Sequence, residues 1–353
     1  MAKKALLAGL LLVLPACAPA PCDDAACLLA DDLSRAALGV RAPADDDVWI
    51  VGSSPAEEPA GGPLLAHWGG VAWERIDTSL WPGLELWSTW ASDDEVVAVG
   101  SDGTILEFDR TTRVLRQVEQ IGAGSIFFAV WGGEPSDLWA VGRGPELPDV
   151  DGDGFDEPGL PLLWRRLDGT WAPWSDPIYD GVSGEQPLAV HGRSRDDLWI
   201  AGTGGLVRHW DGRELRSIPP ITEEGEHDSV VTIDGGGERP LAVGARGDVL
   251  YEWDGGRWRV EQPDPTARFH GLCTASDGRA VAVGEMGARA MREHGVWAPD
   301  YARGVEPVTS GDFHACAFAP SGALWAVGGW FVSRPLGRGF VTYTGPGEVA
   351  TLE

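Results

Sequence analysis

The sequence predicts an all-β fold, a seven-bladed β-propeller of four-stranded blades, from three observations. A short apolar phrase occurs seven times and closes each time on a glycine, at Gly52, Gly100, Gly142, Gly202, Gly244, Gly284 and Gly328. Repeats of roughly 40 to 50 residues fit blades of four strands each. Glycine (49) and proline (26) make up about a fifth of the 353 residues, which is typical of many short strands joined by turns. The 18 tryptophans, against nine phenylalanines, need a structural cause, and wide spaces between twisted blades would supply one.

The sequence predicts a targeting segment at positions 1–16. It has Lys3 and Lys4 near its start and continues with an apolar run that is too short to span a bilayer. The sequence LPAC that ends at Cys17 resembles the lipobox of bacterial lipoproteins, in which the cysteine becomes the first mature residue and carries acyl chains. A plain secretory signal cut nearby is the alternative.

The resemblance implies a protein that is held in the bacterial cell envelope by the lipid on Cys17 alone. Ala18 rather than aspartate follows the cysteine, which in this family implies the outer membrane. We expect a flexible tether, rich in Pro, Ala and Asp, over residues 17–36. No later segment approaches the uninterrupted apolar length of a spanning helix, so the sequence predicts no other membrane anchor.

Four thiols remain if Cys17 is acylated: Cys22, Cys27, Cys273 and Cys316. Outside the cytoplasm they could form two disulfides in any of three connectivities. Cys273 and Cys316 occupy similar places in neighbouring repeats, which favours their pairing. Unpaired buried thiols remain open as the alternative.

Each of the seven phrases is apolar throughout, as expected of a strand that is covered on both faces. The phrases occupy residues 48–52, 96–100, 138–142, 198–202, 240–244, 280–284 and 324–328. One apolar run precedes each phrase and two strand-like runs follow it, so we expect the order a–b–c–d seven times over, with the phrase as strand b. The predicted propeller covers residues 37–353, with blades at approximately 37–75, 86–118, 127–174, 187–218, 229–261, 269–298 and 313–353.

Two stretches carry a resemblance to a family of secreted bacterial β-propellers with DLWAVG and WDGxxW repeats. They are DLWAVG at 137–142 and WDGGRW at 253–258. The resemblance covers about residues 37–353 and is specific to the fold, not to an activity. We expect the tryptophans to pack in the core, and a set of sugar-stacking rings is the alternative.

The two faces of the predicted propeller differ in the lengths of their connecting loops. The a–b and c–d turns are short, whereas the long excursions are b–c or d–a connections at 53–63, 143–161, 173–187, 219–228, 299–312 and 330–339. In a propeller these two classes of connection emerge on one face, which we call the long-loop face. Insertions that collect on one face usually mark the binding side.

An acidic insertion in the third blade predicts a calcium site. Residues 148–158 read PDVDGDGFDEP and resemble the DxDGDGxxD loop of integrin-type propellers and thrombospondin repeats. Alternate carboxylates converge there because glycine allows a sharp turn, and the next carbonyl points inward. The expected Ca²⁺ ligands are Asp149, Asp151, Asp153, the backbone oxygen of Phe155, and Glu157, which stands where aspartate is usual. Leu160 at the twelfth position excludes a full EF-hand, and a solvated acidic loop is the alternative.

Charge and motifs exclude several functions. The net charge of −27 repels polyphosphate, so we expect no nucleic-acid partner. The chain contains no GxSxG, HExxH or P-loop pattern, and no catalytic residue is predicted. His270 and His314 stand at matching positions of neighbouring inner strands, and we expect both to be buried rather than to act as ligands.

We therefore expect a non-enzymatic binding or scaffold module whose long-loop face takes a protein or glycan partner in the envelope. The alternative is an envelope enzyme acting on glycans, a hydrolase or lyase, with its site in the axial pocket of that face. A pair of acids on the axis, one with a raised pKa, would favour the enzyme. Apolar and aromatic loop tips would favour a protein partner.

Overall fold

Seven antiparallel sheets of four strands each, arranged in a ring, form the fold in a computed structural model. The predicted class, an all-β seven-bladed propeller, is confirmed. The structure describes residues 22, 26–55, 61–149, 159–174, 185–219, 222–223, 226–227, 229–244, 246–264, 266–331 and 336–352. No helix in this part of the chain is long and apolar enough to cross a membrane. The predicted targeting segment, residues 1–16, lies outside the described residues.

The strands are short, and the longest is β10. In chain order they are β1 (Cys27–Leu33), β2 (Ala37–Ala44), β3 (Asp47–Gly52), β4 (Leu65–Trp68), β5 (Trp73–Arg75), β6 (Leu86–Ala91), β7 (Glu95–Gly100), β8 (Thr104–Asp109), β9 (Val114–Gln120), β10 (Ile126–Glu134), β11 (Asp137–Arg143), β12 (Pro161–Leu167), β13 (Thr170–Pro173), β14 (Pro187–Ser194), β15 (Asp197–Gly202), β16 (Val207–Trp210), β17 (Leu215–Ser217), β18 (Thr222–Glu223), β19 (Glu226–His227), β20 (Val230–Asp234), β21 (Leu241–Gly244), β22 (Leu250–Trp253), β23 (Trp258–Glu261), β24 (Phe269–Thr274), β25 (Ala280–Gly284), β26 (Arg289–Glu293), β27 (Val296–Pro299), β28 (Phe313–Phe318), β29 (Leu324–Trp330) and β30 (Gly337–Thr344). Three 3₁₀ turns are also described, at Thr203–Gly205, Glu285–Gly287 and Asp300–Arg303.

Six blades follow the chain directly, and each begins with its innermost strand. They are β2 to β5, β6 to β9, β10 to β13, β14 to β17, β20 to β23 and β24 to β27. The innermost strands contact their neighbours in a closed circle, β2, β6, β10, β14, β20, β24 and β28, and β28 returns to β2. The strands β18 and β19 form a small separate pair in the connection between the fourth and fifth blades.

The seventh blade takes strands from both ends of the chain, in the order β28, β29, β30 and β1. β1 pairs antiparallel with β30, with Cys27 opposite Tyr343 and Leu33 opposite Gly339. The expected tether over 17–36 is therefore wrong from Cys27 onwards, and the order a–b–c–d holds along the chain only six times. The pairing covers the edge that β30 would otherwise leave open, and it buries Leu29.

Tryptophans of the repeat fill the spaces between blades. Trp49, Trp139 and Trp325 lie on the second strands of their blades and are fully buried. Each packs in a cluster with residues of the next blade; Trp139, for example, contacts Trp210 with ring centroids 5.5 Å apart. The core-packing interpretation holds for these three rings.

An aspartate at the start of the second strand fixes the neighbouring rings. Asp47 accepts hydrogen bonds from Trp49 Nε1 (2.9 Å) and from Arg110 of the next blade (2.9 Å), and its Oδ1 lies 2.8 Å from His67 Nε2. Burial raises the pKa of Asp47, but the hydrogen bonds of His67, Arg110 and Trp49 outweigh it, so that the pKa is lowered. Part of the acid excess of the chain is therefore structural.

Candidate binding site on the propeller axis

A channel of about 510 Å³ lies on the axis and is lined by the innermost strands of all seven blades. Phe331, from the connection between β29 and β30, also lines it. The volume falls in the range of about 300–1,000 Å³ that is usual for ligand sites.

Each innermost strand carries a β-bulge close to its start. A bulge leaves one residue without a ladder partner and re-aims its side chain. The seven bulge residues all line the channel, and we call them the mouth ring: Leu38, Trp87, Phe128, Leu188, Val231, His270 and His314. Because every innermost strand begins at the long-loop face, the mouth ring lies at that end of the channel.

The closing glycine of the repeat allows this bulge. A Cβ at Gly52 would overlap the carbonyl oxygen of Ala36, the residue before β2. That oxygen accepts a hydrogen bond from the N–H of Ser53 (3.0 Å). Gly100 and the carbonyl oxygen of Glu85 repeat the arrangement in the second blade. The residue that defines the repeat in the sequence therefore also positions the mouth ring.

Aromatic rings form a continuous arc along one side of the mouth. The ring of Trp87 lies 6.2 Å from that of Phe128 and 5.5 Å from that of His314, between centroids. Phe331 continues the arc, 4.9 Å from His314 and 5.4 Å from His270. All four contacts are edge-to-face, a favourable arrangement for aromatic pairs. The mouth thus offers an apolar and aromatic surface.

Burial disfavours the charged form of both histidines of the mouth ring. Burial lowers the pKa of His314 to about 4, although its Nδ1 contacts the carbonyl oxygen of Leu38. Burial also lowers the pKa of His270, against the charges of Glu285 and Asp312, which raise it. We expected both side chains to be buried, but they are half-buried and line the channel instead of standing in the packed core.

Three residues further along the strands the lining becomes polar. Asp234 Oδ1 lies 3.1 Å from His191 Nδ1 and accepts the N–H of Gly236 (2.7 Å). Burial raises the pKa of Asp234, but the nearby His191 and Thr274 side chains and the N–H of Gly236 lower it overall. Among the described residues that line the channel, Asp234 is the only carboxylate. The acid pair with a raised pKa that would indicate a glycan-active enzyme does not occur among them.

Large exposed apolar side chains concentrate on the long-loop face. Of twelve such residues in the described chain, seven lie there: Leu80, Ile121, Leu147, Leu160, Met286, Tyr301 and Trp330. Of the other five, Val71 stands on a c–d turn, Leu167 at the end of the third strand β12, and the remaining three on outer strands. Apolar and aromatic loop tips around an apolar mouth are the pattern expected for a protein partner.

Four cysteines form two disulfides in the structure, Cys22 with Cys27 and Cys273 with Cys316, with Cα atoms 5.5 and 5.7 Å apart. The second disulfide joins β24 to β28, the neighbouring innermost strands of the sixth and seventh blades. It lines the channel and links the last blade to the one before it.

The predicted calcium and lipid sites fall almost wholly outside the described residues. Asp149 is described, whereas these predicted site residues are not: Cys17, Asp151, Asp153, Phe155 and Glu157. In the described part, no group of three or more His, Cys, Asp or Glu side chains could hold a metal ion. Both sites remain predictions.

Sequence reasoning missed the mouth ring, although a signal was present. Each ring residue stands at a nearly constant spacing before the closing glycine of its own repeat, as Leu38 does before Gly52 and Phe128 before Gly142. The residue types differ from repeat to repeat, so that only the spacing is constant.

No protein-family model and no curated protein matches this chain. Solved structures match its fold. A structure of YCF48 bound to D1 peptide aligns with a TM-score of 0.63 and 13% identity, over 90% of this chain and 94% of that one. The WD40 β-propeller domain of Doa1 aligns at 0.59 and 10% identity, over 90% and 95%. The Myceliophteria thermophila Cps50 (Swd1) β-propeller domain aligns at 0.61 and 12% identity, over 90% and 99%. At these identities the likeness shows the fold alone, a WD40-like seven-bladed propeller.

Proposed function

We propose that this protein is a non-enzymatic binding module that takes a protein partner on its long-loop face, centred on the mouth ring. One observation carries the proposal: seven bulges direct apolar and aromatic residues to the same end of the channel at which the exposed apolar loop tips stand. Binding energy in protein interfaces concentrates in aromatic and apolar anchors at the centre of the patch.

The solved neighbours support a peptide or protein as the partner. YCF48 was solved with a peptide bound, and its fold spans nearly the whole of this chain. The net charge of the protein also limits the charge that the partner can carry. At a net charge of −27 the protein repels acidic surfaces and attracts basic ones, so the body of the partner is neutral or basic.

The lipid anchor on Cys17 would orient this face away from the membrane. β1 starts beside the end of β30, at the short-turn face, because Cys27 pairs with Tyr343. The carbonyl oxygen of Cys22 accepts the N–H of Gly345 there (2.9 Å). The stretch of chain from Cys17 to Cys22 reaches at most about 18 Å. The short-turn face therefore stands next to the envelope membrane, and the partner approaches from the opposite side.

A calcium ion in the acidic insertion would brace part of the binding face. The insertion lies in the connection between β11 and β12, and the exposed Leu147 and Leu160 stand on either side of it. The proposed ligands are Asp149, Asp151, Asp153, the backbone oxygen of Phe155, and Glu157. Bound Ca²⁺ would neutralise acids that otherwise repel one another and hold the two leucines at fixed positions.

Site-directed photo-crosslinking in cells tests the proposed face. Amine-directed reagents are unsuitable because the chain has no lysine after Lys4. A benzoylphenylalanine at Met286 (76% exposed, long-loop face) is compared with one at Val296 (69% exposed, short-turn face). The proposal requires a protein adduct at Met286 and none at Val296. Adducts at both positions, or at Val296 alone, would refute the assignment of the face.

A further inference from the structure

One arginine in the channel, Arg41, has no hydrogen-bond or ion-pair partner among the residues that the structure describes. Arg41 lies on β2 three residues after Leu38 of the mouth ring, about 10 Å deeper at the rise of a β-strand. Among the described residues that line the channel it is the only lysine or arginine. Its side chain is half-buried and forms no hydrogen bond or ion pair with any described residue, and its Nε–H is buried without an acceptor.

Buried arginines elsewhere in the ring are paired with carboxylates. Arg165 Nη2 lies 2.6 Å from Asp137 Oδ2, and Arg166 Nη1 lies 2.7 Å from Glu95 Oε1. Removing an unpaired charge from water is costly. In a chain with twice as many acids as bases, a carboxylate opposite Arg41 would be easy to supply. No described carboxylate forms a hydrogen bond or ion pair with Arg41, which points to an acceptor that comes from outside the chain.

Asp234 does not supply this acceptor. Burial lowers the pKa of Arg41 and the charge of Asp234 raises it, so the two groups act on each other through space. No hydrogen bond or ion pair joins Asp234 to Arg41; Asp234 Oδ1 accepts the N–H of Gly236 (2.7 Å) and lies 3.1 Å from His191 Nδ1. The guanidinium of Arg41 keeps its donors available to the channel.

A second donor in the same lining also lacks an acceptor. The indole N–H of Trp87 is buried and makes no hydrogen bond to a described residue. An ionised carboxylate only accepts hydrogen bonds, and it offers about four lone-pair sites. A charged donor inside a channel with an apolar mouth fits a carboxylate carried on an apolar group, and Trp87 Nε1 offers a further donor to that ligand nearer the mouth.

We propose that the channel binds a carboxylate, held by Arg41, with the apolar part of the ligand in the mouth ring. The proposal rests on the proposed function and names the chemistry of what that site recognises. A chain end and an Asp or Glu side chain both carry this group. About three residues of extended chain cover the depth from the mouth ring to Arg41. The net charge of the protein keeps the rest of the partner neutral or basic.

Calorimetric titration with 3-phenylpropionate and its uncharged amide tests the assignment on the full chain. Arg41→Gln removes the proposed anchor. Arg213→Gln, at an exposed c–d turn, is the control that changes the net charge equally. We expect the wild type to bind the acid and not the amide. Arg41→Gln should weaken binding about tenfold or more, as for the loss of a charged hydrogen-bond partner, and Arg213→Gln should leave it unchanged.

Thermal unfolding of the same variants separates binding from a structural role. Because Arg41→Gln removes an unpaired charge, we expect an unchanged or higher Tm. A lower Tm would show that Arg41 stabilises the ring, and it would overturn the assignment. Equal binding of acid and amide, or no binding of the acid at millimolar concentration, would also overturn it.

Two peptides then distinguish the sources of the carboxylate. An N-acetylated tripeptide of leucine, phenylalanine and alanine with a free C-terminus is compared with a C-terminal amide that carries glutamate in last place. Binding of the first alone indicates a chain end, and binding of the second alone indicates a side chain. Failure of both the acid and the peptides, with a protein adduct at Met286, would refute the role of Arg41 and leave the proposed function standing. Acid binding without that adduct would refute only the assignment of the face.

Discussion

Replacing Trp199 by alanine removes the side chain that fills the space between the fourth and fifth blades. Trp199 is 5% exposed and stacks on His209, with ring centroids 4.4 Å apart. It also contacts Trp253 and Trp258 of the fifth blade, at 6.1 and 6.3 Å. The substitution therefore leaves a cavity at the blade interface, where the surrounding rings cannot fully collapse.

Tryptophan-to-alanine changes in packed cores cost about 3–5 kcal/mol. Unfolding entropy for about 320 residues is roughly 0.7 kcal/mol/K, so a loss of about 4 kcal/mol lowers Tm by about 6 °C. Calorimetry of purified protein measures this, and Trp330→Ala, at a residue 52% exposed, serves as the control, with a cost of about 1 kcal/mol or less. Equal costs for the two variants would mean that Trp199 does not fill the blade interface, and would refute the blade register.

Four further predictions follow from the same structure. Deleting β1 leaves the seventh blade with three strands, so thermal unfolding should lose its single cooperative transition; an unchanged melt would contradict ring closure by β1. Cys17→Ser should release the protein from membranes in fractionation, whereas wild type in the soluble fraction without lipid by mass spectrometry would contradict the anchor. Calorimetric titration of chelator-treated protein should show Ca²⁺ binding in preference to Mg²⁺, lost in Asp151→Ala/Asp153→Ala; equal heats from both proteins would refute the site. Because the pKa of His314 is about 4 when folded and near 6.5 when unfolded, its contribution to stability is present above pH 6.5 and is lost as pH falls to about 4; urea unfolding should show this loss in wild type and not in His314→Gln.

The sequence predicted the propeller because its signals are local. An apolar phrase such as that ending at Gly52 identifies a strand covered on both faces, and the glycine is needed because a carbonyl oxygen packs against it. Ring closure was missed because β1 has no glycine-closed phrase and pairs with β30, at the opposite end of the chain. The pairing with β30 is what distinguishes β1 from a tether, and a signal local to the sequence of β1 does not reveal it.

The binding site was predicted only as a face. Loop lengths indicated the long-loop face, where the mouth ring lies, since they depend on chain order alone, but the bulge at Leu38 arises from the contact between Gly52 and the backbone before β2. The lack of a partner at Arg41 could not be foreseen either, because acids are common everywhere in this sequence. The closed ring of blades determines which carboxylates line the axial channel, and the sequence alone does not show this.

The central claim is that the partner binds over the mouth ring on the long-loop face. Hydrogen exchange, measured on the complex with the partner crosslinked through benzoylphenylalanine at position 286, tests it most directly. The account predicts slowed exchange at the mouth-ring amides, such as those of Trp87 and Phe128, and in the long-loop connections, with unchanged exchange in the c–d turns and outer strands. Protection confined to the c–d turns or outer strands, with the mouth-ring amides unaffected, would contradict it.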